Sequence, residues 1–282
     1  MVRAIPPPYP NRESRYETID GVKLHYVCRG KGPDILLLHG IAANIYCWRY
    51  MIPLLEKKYR VWAVDIKGFG LSDKPRKSSY NLEAQSGLLL KFLERHQIEN
   101  LAIVGNSMGG AIGAGMAIRD PHRISKLILI NSAHDSRIFN FLPAGFKVMR
   151  RAVGPAVPLI KPFVNKEFVR KYMKALYSDK YKISDADVSA YLAPYVQDLA
   201  GYFAFLAAVD SMLDDALTLN LKKSGVPVLI LWGESDKLVN IRWGKELHRM
   251  IPGSQFQSHP TAGHHLQEEE PQWAADRIAE FV

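Results

Sequence analysis

From the N-terminus, short apolar runs alternate with longer amphipathic ones. VKLHYVC (22–28) changes polarity at every other position, as a half-buried strand does. DILLLH (34–39), RVWAVD (60–65) and LAIVG (101–105) are continuous apolar runs, the pattern of strands covered on both faces of a parallel sheet. Between them, NLEAQSGLLLKFLERHQI (81–98) predicts a helix capped by Asn81, with Leu82, Leu89, Phe92 and Leu93 along one face. Further on come AIGAGMAIRD (111–120) as a helix, KLILIN (126–131) and PVLILWG (227–233) as strands, and IRWGKELHRMI (241–251) as a helix. A strand near SQFQSH (254–259) and a terminal helix QWAADRIAEFV (272–282) complete the series. This alternation predicts an α/β protein with a mostly parallel, doubly wound sheet.

The alternation breaks between about His134 and Leu221. That stretch is helical in pattern, is punctuated by prolines at 143, 155, 158, 162 and 194, and contains no convincing buried strand. It reads as a helical cap, residues 134–221, inserted into a core formed by residues 1–133 and 222–282.

Composition narrows the class. Hydrophobic residues make up 48% and charged residues 23% of the chain, as in a globular protein. The first 21 residues carry no apolar core of a secretory signal, so a cytoplasmic enzyme is expected. LAIVGNSMGGAIGAGMAI (101–118) has the length of a membrane span, but its asparagine, serine and glycines fit a strand, a turn and a buried helix better, so no stable membrane insertion is expected. Cys28 and Cys47 are too few for a disulfide scaffold, and no histidine pattern suggests a metal. No cofactor is expected, and no basic stripe with interleaved aromatics suggests nucleic acid.

The candidate chemistry sits at GNSMGG (105–110). Gly105-Asn106-Ser107-Met108-Gly109 fits G-x-S-x-G after a strand and before a helix, where a sharp turn forces the serine into a strained conformation and leaves room only for hydrogen beside it. A serine nucleophile needs a base, and the base an orienting acid. Asp236 follows the strand VLILW, with Asp135 and Glu234 as rival acids. His264 lies in TAGHH before the last helix, with His265 as rival base. Developing oxyanion charge needs amide donors; Met108, after the serine, and Ile41, after LLLHG, are candidates, with Gly40 letting that loop fold close.

At this point the chain resembles the α/β-hydrolase-fold enzymes with a helical cap. The matching pieces are LLLHG, VWAVDIKGFGLSDKP, VGNSMGG, PHRISKLILIN, VPVLILWGESD and AGHHLQEEEP, spread over nearly the whole chain apart from the cap. The resemblance implies Ser107 as nucleophile, Asp236 as acid, His264 as base, and the Ile41 and Met108 amides as oxyanion hole. Haloalkane dehalogenases and epoxide hydrolases of this fold use aspartate where this chain has serine. GNSMGG is particularly similar to the carbon–carbon bond hydrolases of aromatic degradation. That branch has tryptophan after its histidine, where this chain has His265, and a glycine- and proline-rich loop where this chain has IAANIYCW (41–48). The expected activity is therefore a serine carboxylesterase acting on small to medium acyl esters. Carbon–carbon cleavage, lactone hydrolysis and a receptor-like binding role remain as alternatives.

The net charge of +9 is unevenly placed. Leu142 to Lys182 holds ten lysines and arginines against Glu167 and Asp179, a net of +8. Ile183 to Leu221 holds six aspartates and no basic residue, a net of −6. Such a split suits either attraction of anionic substrates or lipid, or plain solvated helix faces. The order of NKEFVRKYMKALY (165–177) favours the second, setting its charges opposite a predicted apolar face of Phe168, Val169, Tyr172, Met173 and Leu176. The apolar stretch LAGYFAFLAAVDSML (199–213), with FLPAGF (141–146), suits the roof of a hydrophobic substrate pocket or simple packing on the core. Phe141, Tyr202, Phe203, Phe205 and His265 are the candidate pocket residues.

Overall fold

The computed structural model describes residues 13–134, 164–196, 199–214 and 221–282. Eight strands form one sheet in the order β1-β2-β4-β3-β5-β6-β7-β8. They are β1 (Arg15–Ile19), β2 (Val22–Arg29), β3 (Asp34–Leu38), β4 (Arg60–Val64), β5 (Leu101–Asn106), β6 (Ile124–Ile130), β7 (Val228–Gly233) and β8 (Gln255–His259). The strands from β3 to β8 run parallel, and the β1–β2 and β2–β4 pairs are antiparallel. The continuous apolar runs are explained by two hydrophobic cores, one on each face of the sheet. Leu36, Leu38, Ile103, Leu127 and Ile230 join one, while Ile35, Leu37, Val104, Ile128 and Leu231 join the other.

Helices cover both faces. Helices α2 (Leu82–Arg95), α3 (Met108–Arg119) and α7 (Ile241–Met250) supply the first core, and α1 (Ile52–Leu55), α8 (Leu266–Glu269) and α9 (Pro271–Phe281) the second. The expected cap of α2 forms, with the Ala84 amide donating to Asn81 Oδ1 at 2.8 Å. Between β6 and β7 the described residues form α4 (Lys166–Leu176), α5 (Asp185–Val196) and α6 (Ala200–Asp214), with no strand among them. No single helix among the described residues is long and apolar enough to cross a membrane.

β1 is an addition to the predicted series of strands. Its hairpin with β2 turns on Asp20 and Gly21 at φ 48° and 76°, and an Asp-Gly pair beside an alternating run was the available signal. The apolar face predicted for α4 is also too wide. Val169, Met173 and Leu176 are buried, but Phe168 and Tyr172 are 52% and 37% exposed. Among the described helices α4 packs chiefly on α5, which covers a narrow i, i+4, i+7 stripe and leaves the adjoining aromatic row outside.

Buried Asp65, just past β4, ties the loops at the carboxyl edge together. Its carboxylate accepts from His25 Nδ1 at 2.7 Å and from the amides of Ile45 at 2.7 Å and Leu71 at 2.8 Å. Burial alone would raise its pKa, but the hydrogen bond and charge of His25, with His39 and the Leu71 amide, hold it below the ordinary value. A carboxyl depressed on folding stabilises fully above its unfolded pKa near 3.9 and progressively less as pH falls through the folded value. Asp65→Ala is expected to cost about 3 kcal/mol or more at neutral pH, measured by urea denaturation. Between about pH 4 and 3 the difference from wild type should shrink.

Candidate active site

Ser107 stands between β5 and α3 at φ 53° and ψ −119°, a left-handed conformation rare outside glycine. The neighbours explain why only glycine fits around it. A Cβ on Gly105 would lie 2.4 Å from the Gly109 carbonyl oxygen, and one on Gly109 would lie 2.1 Å from that of Leu38. Such strain, on the order of 1–3 kcal/mol, persists only where surroundings fix it. Here the Ser107 amide donates to the Ile130 carbonyl, and its own carbonyl accepts from Gly110, Ala111 and Ala133. Met108 is the first residue of α3, whose amino-terminal amides favour negative charge.

The loop after β3 closes on this turn. A Cβ on Gly40 would lie 3.2 Å from Ser107 Cβ, so the backbone leading to Ile41 packs directly against the serine. Buried His39 sets that loop: the Ile66 amide donates to its Nε2 at 2.9 Å, leaving Nδ1–H to donate to the Gly40 carbonyl at 2.7 Å. Burial lowers its pKa and favours this neutral tautomer. Ala42 then turns at φ 59°.

Asp236 follows β7 and is fully hydrogen-bonded. Oδ1 accepts from the amides of Leu238 and Val239, both at 2.8 Å, and Oδ2 from Asn131 Nδ2 and His264 Nδ1, both at 2.7 Å. With Nδ1 carrying the proton, the basic nitrogen of His264 is Nε2. The His264 main chain is pinned as well, its carbonyl accepting from Asn106 Nδ2 at 3.0 Å and its amide donating to Leu176 O at 2.8 Å. Of the rivals, Glu234 accepts from Ser258 Oγ at 2.7 Å, and Asp135 lies outside the described residues.

Asn131 is a further partner of Asp236, beyond the expected residues. It follows β6 at φ 44°, donates to Asp236, and accepts from the Gly233 amide at 3.2 Å, so it bridges the acid and the strand that precedes it. The signal was a lone amide closing the apolar run KLILIN at a strand's carboxyl end.

A cavity of about 230 Å³ lies above this edge, walled by Ala42, Tyr191, Tyr195, Tyr202 and Phe205 among others. Two of the candidate pocket residues, Tyr202 and Phe205, line this cavity. Phe203 does not: it points to another side of α6, where the Arg76 guanidinium sits 4.7 Å above its ring, and Phe141 lies outside the described residues. His265 is also absent from the wall. It stacks on Tyr177 with ring centres 4.8 Å apart and meets Glu268 at 3.0 Å.

Glu268 is the centre of a buried junction between the sheet domain and the inserted helices. It accepts from Tyr177 at 2.7 Å, from Tyr191 and from Arg49, while Arg49 also reaches Asp187 of α5 and the Tyr181 hydroxyl, each at 2.8 Å. Burial would raise the Glu268 pKa, but His265 and Arg49 together hold it low. Among the described residues, no group of three histidine, cysteine or carboxylate side chains is placed to hold a metal ion.

Asn131→Ala leaves the Gly233 amide and one Asp236 acceptor unpaired. The expected loss is about 1.5–3 kcal/mol in urea denaturation. The downfield NMR signal of the His264 Nδ1 proton should broaden in the same variant.

Comparison with known proteins identifies the fold. Residues 33–271 match the model of the alpha/beta hydrolase fold. The chain is 31% identical over 274 residues to the uncharacterized hydrolase YugF of Bacillus subtilis (strain 168), covering 94% of this chain and 96% of that one. It is 29% identical over 283 residues to 2-hydroxy-6-oxo-6-(2'-aminophenyl)hexa-2,4-dienoic acid hydrolase of Metapseudomonas resinovorans, covering 95% and 90%. Among solved structures, a serine hydrolase involved in carbazole degradation superposes with a TM-score of 0.80 at 27% identity, covering 95% of this chain and 97% of that one. With a strained turn at the end of β5, an acid after β7 and a histidine after β8, the chain belongs to the α/β-hydrolase fold family.

Proposed function

We propose that the chain is a serine carboxylesterase that cleaves small to medium acyl esters through an acyl-enzyme, with residues 134–221 as a cap over the acyl pocket. The observation that carries this reading is the 2.7 Å pair of Asp236 and His264 beside the strained Ser107 turn. His264 Nε2 takes the Ser107 proton as Oγ attacks the ester carbonyl, and Asp236 holds the tautomer and stabilises the imidazolium. The amides of Ile41 and Met108 receive the oxyanion. Collapse expels the alcohol with the proton from His264, and water then releases the acid by the same steps. Ala42, one residue beyond Ile41, lies in the cavity wall, which supports placing the acyl chain among Tyr202, Phe205 and Tyr191.

Carbon–carbon bond cleavage is a second reading, favoured by the Metapseudomonas resinovorans relative. Less in its favour is the largely apolar wall: a ring-fission product carries a carboxylate and an enol that need polar partners, and while the buried Tyr195 hydroxyl is unpartnered, that of Tyr191 is already committed to Glu268.

Initial rates on p-nitrophenyl esters from acetate to palmitate test the proposal. Wild type is expected to turn over the shorter and middle members. Ser107→Ala should lower kcat by at least about 10³-fold, and Asp236→Asn by about 10³–10⁴-fold. No Ser107-dependent turnover, together with no labelling of Ser107 by a fluorophosphonate, would overturn it; turnover of a vinylogous ring-fission acid alone would establish the second reading.

A further inference from the structure

The basic part of the inserted segment takes on a different meaning once its surface is visible. Phe168 and Tyr172 are one helical turn apart on α4, and both belong to the cavity wall while being 52% and 37% exposed. They therefore form the outer lip of an apolar cavity, where water meets hydrocarbon side chains. Around them the charge is predominantly basic. Lys166, Lys171 and Lys174 on α4, with Lys180 and Lys182 just after it, are all exposed. Residues 166–182 hold six basic side chains against Glu167 and Asp179. Among the described residues only Lys171 of those five lysines meets a carboxylate, Glu167 at 3.1 Å. Asp179 is engaged by Lys237 at 2.7 Å, which lessens its offset of the patch.

An amphipathic helix with lysines beside an exposed aromatic row is built for an interface, the rings entering the headgroup boundary and the ammonium groups meeting anionic headgroups. Solvated helix faces alone would leave the lysines explained and the two rings exposed without purpose. We propose that α4 and the loop to Lys182 dock on an anionic lipid surface, so that the cavity mouth opens onto the bilayer and receives an acyl ester from it. Docking itself follows from charge and exposure; the use made of it rests on the esterase reading above.

The test separates the two. Binding is measured on Ser107→Ala, which docks without turnover, by co-sedimentation with vesicles of phosphatidylglycerol and phosphatidylcholine or of phosphatidylcholine alone. The expected result is association with the anionic vesicles that weakens at least tenfold between low and high salt, and little with the neutral ones. Adding Lys166→Glu, Lys171→Glu and Lys174→Glu together should weaken it at least tenfold while the melting temperature stays at the parent value, since all three side chains are exposed. Absence of association, or association unaffected by the three reversals, would overturn the proposal. So would sedimentation equilibrium showing a dimer that the same reversals dissociate, since a second copy would then occupy the face. None of these readings depends on ester turnover.

Discussion

The constraint on which the site depends is how closely three pieces of backbone approach one another. The end of β3, the turn from β5 into α3, and the residues just after β6 meet so tightly that a methyl group on Gly105, Gly109 or Gly110 would fall within 2.5 Å of a neighbouring heavy atom. Such contact excludes side chains and forces Ser107 into its left-handed conformation. Strand order then does the rest. β5, β6, β7 and β8 are consecutive parallel neighbours, so the segments leaving β5, β7 and β8 all rise from one edge. The acid on β7 is separated from the serine by one strand, β6, and Asn131 at the tip of that strand fills the gap. A sheet with another order would scatter the same residues.

Two adjacent histidines show how environment divides roles. His264 and His265 are both buried, and each presents Nδ1 to a carboxylate, Asp236 and Glu268 respectively. Their rings are nearly perpendicular, at 80°. One ring faces the strand ends, where Asp236 is shared with Asn131. The other is stacked flat on Tyr177 inside an ionic junction, a place that fixes an imidazole rather than offering it to a ligand.

Much of the fold is legible in the sequence because burial on both faces writes itself as uninterrupted apolar runs, and because the turn at Ser107 requires glycines at fixed offsets. The Asp236–His264 pair is legible for a related reason: strand ends are where an acid or histidine meets an open edge. Asn131 is harder to read, since its partner is 105 positions away and its only local mark is an amide closing an apolar run. On α6, Tyr202 and Phe205 share a face by the i, i+3 rule while Phe203 turns about 100° away, so the aromatic run could not say which rings meet the cavity. The periodicity of α4 named its apolar residues correctly but not its neighbours, and it is the neighbours that decide which of them stay outside.

The junction at Glu268 bears on how this molecule could be rebuilt. Its members come from three separated stretches of chain: Arg49 from the segment after β3, Tyr177, Tyr181, Asp187 and Tyr191 from the inserted helices, and His265 and Glu268 from the segment after β8. Removing Glu268 strips the buried Tyr177 and Tyr191 hydroxyls of their carboxylate acceptor, and removing Arg49 takes the guanidinium from Glu268. The insertion is therefore not a detachable module. A chimera that borrowed these helices from a relative would import foreign partners for Arg49 and Glu268, and would fold well only if those two positions were transplanted along with them.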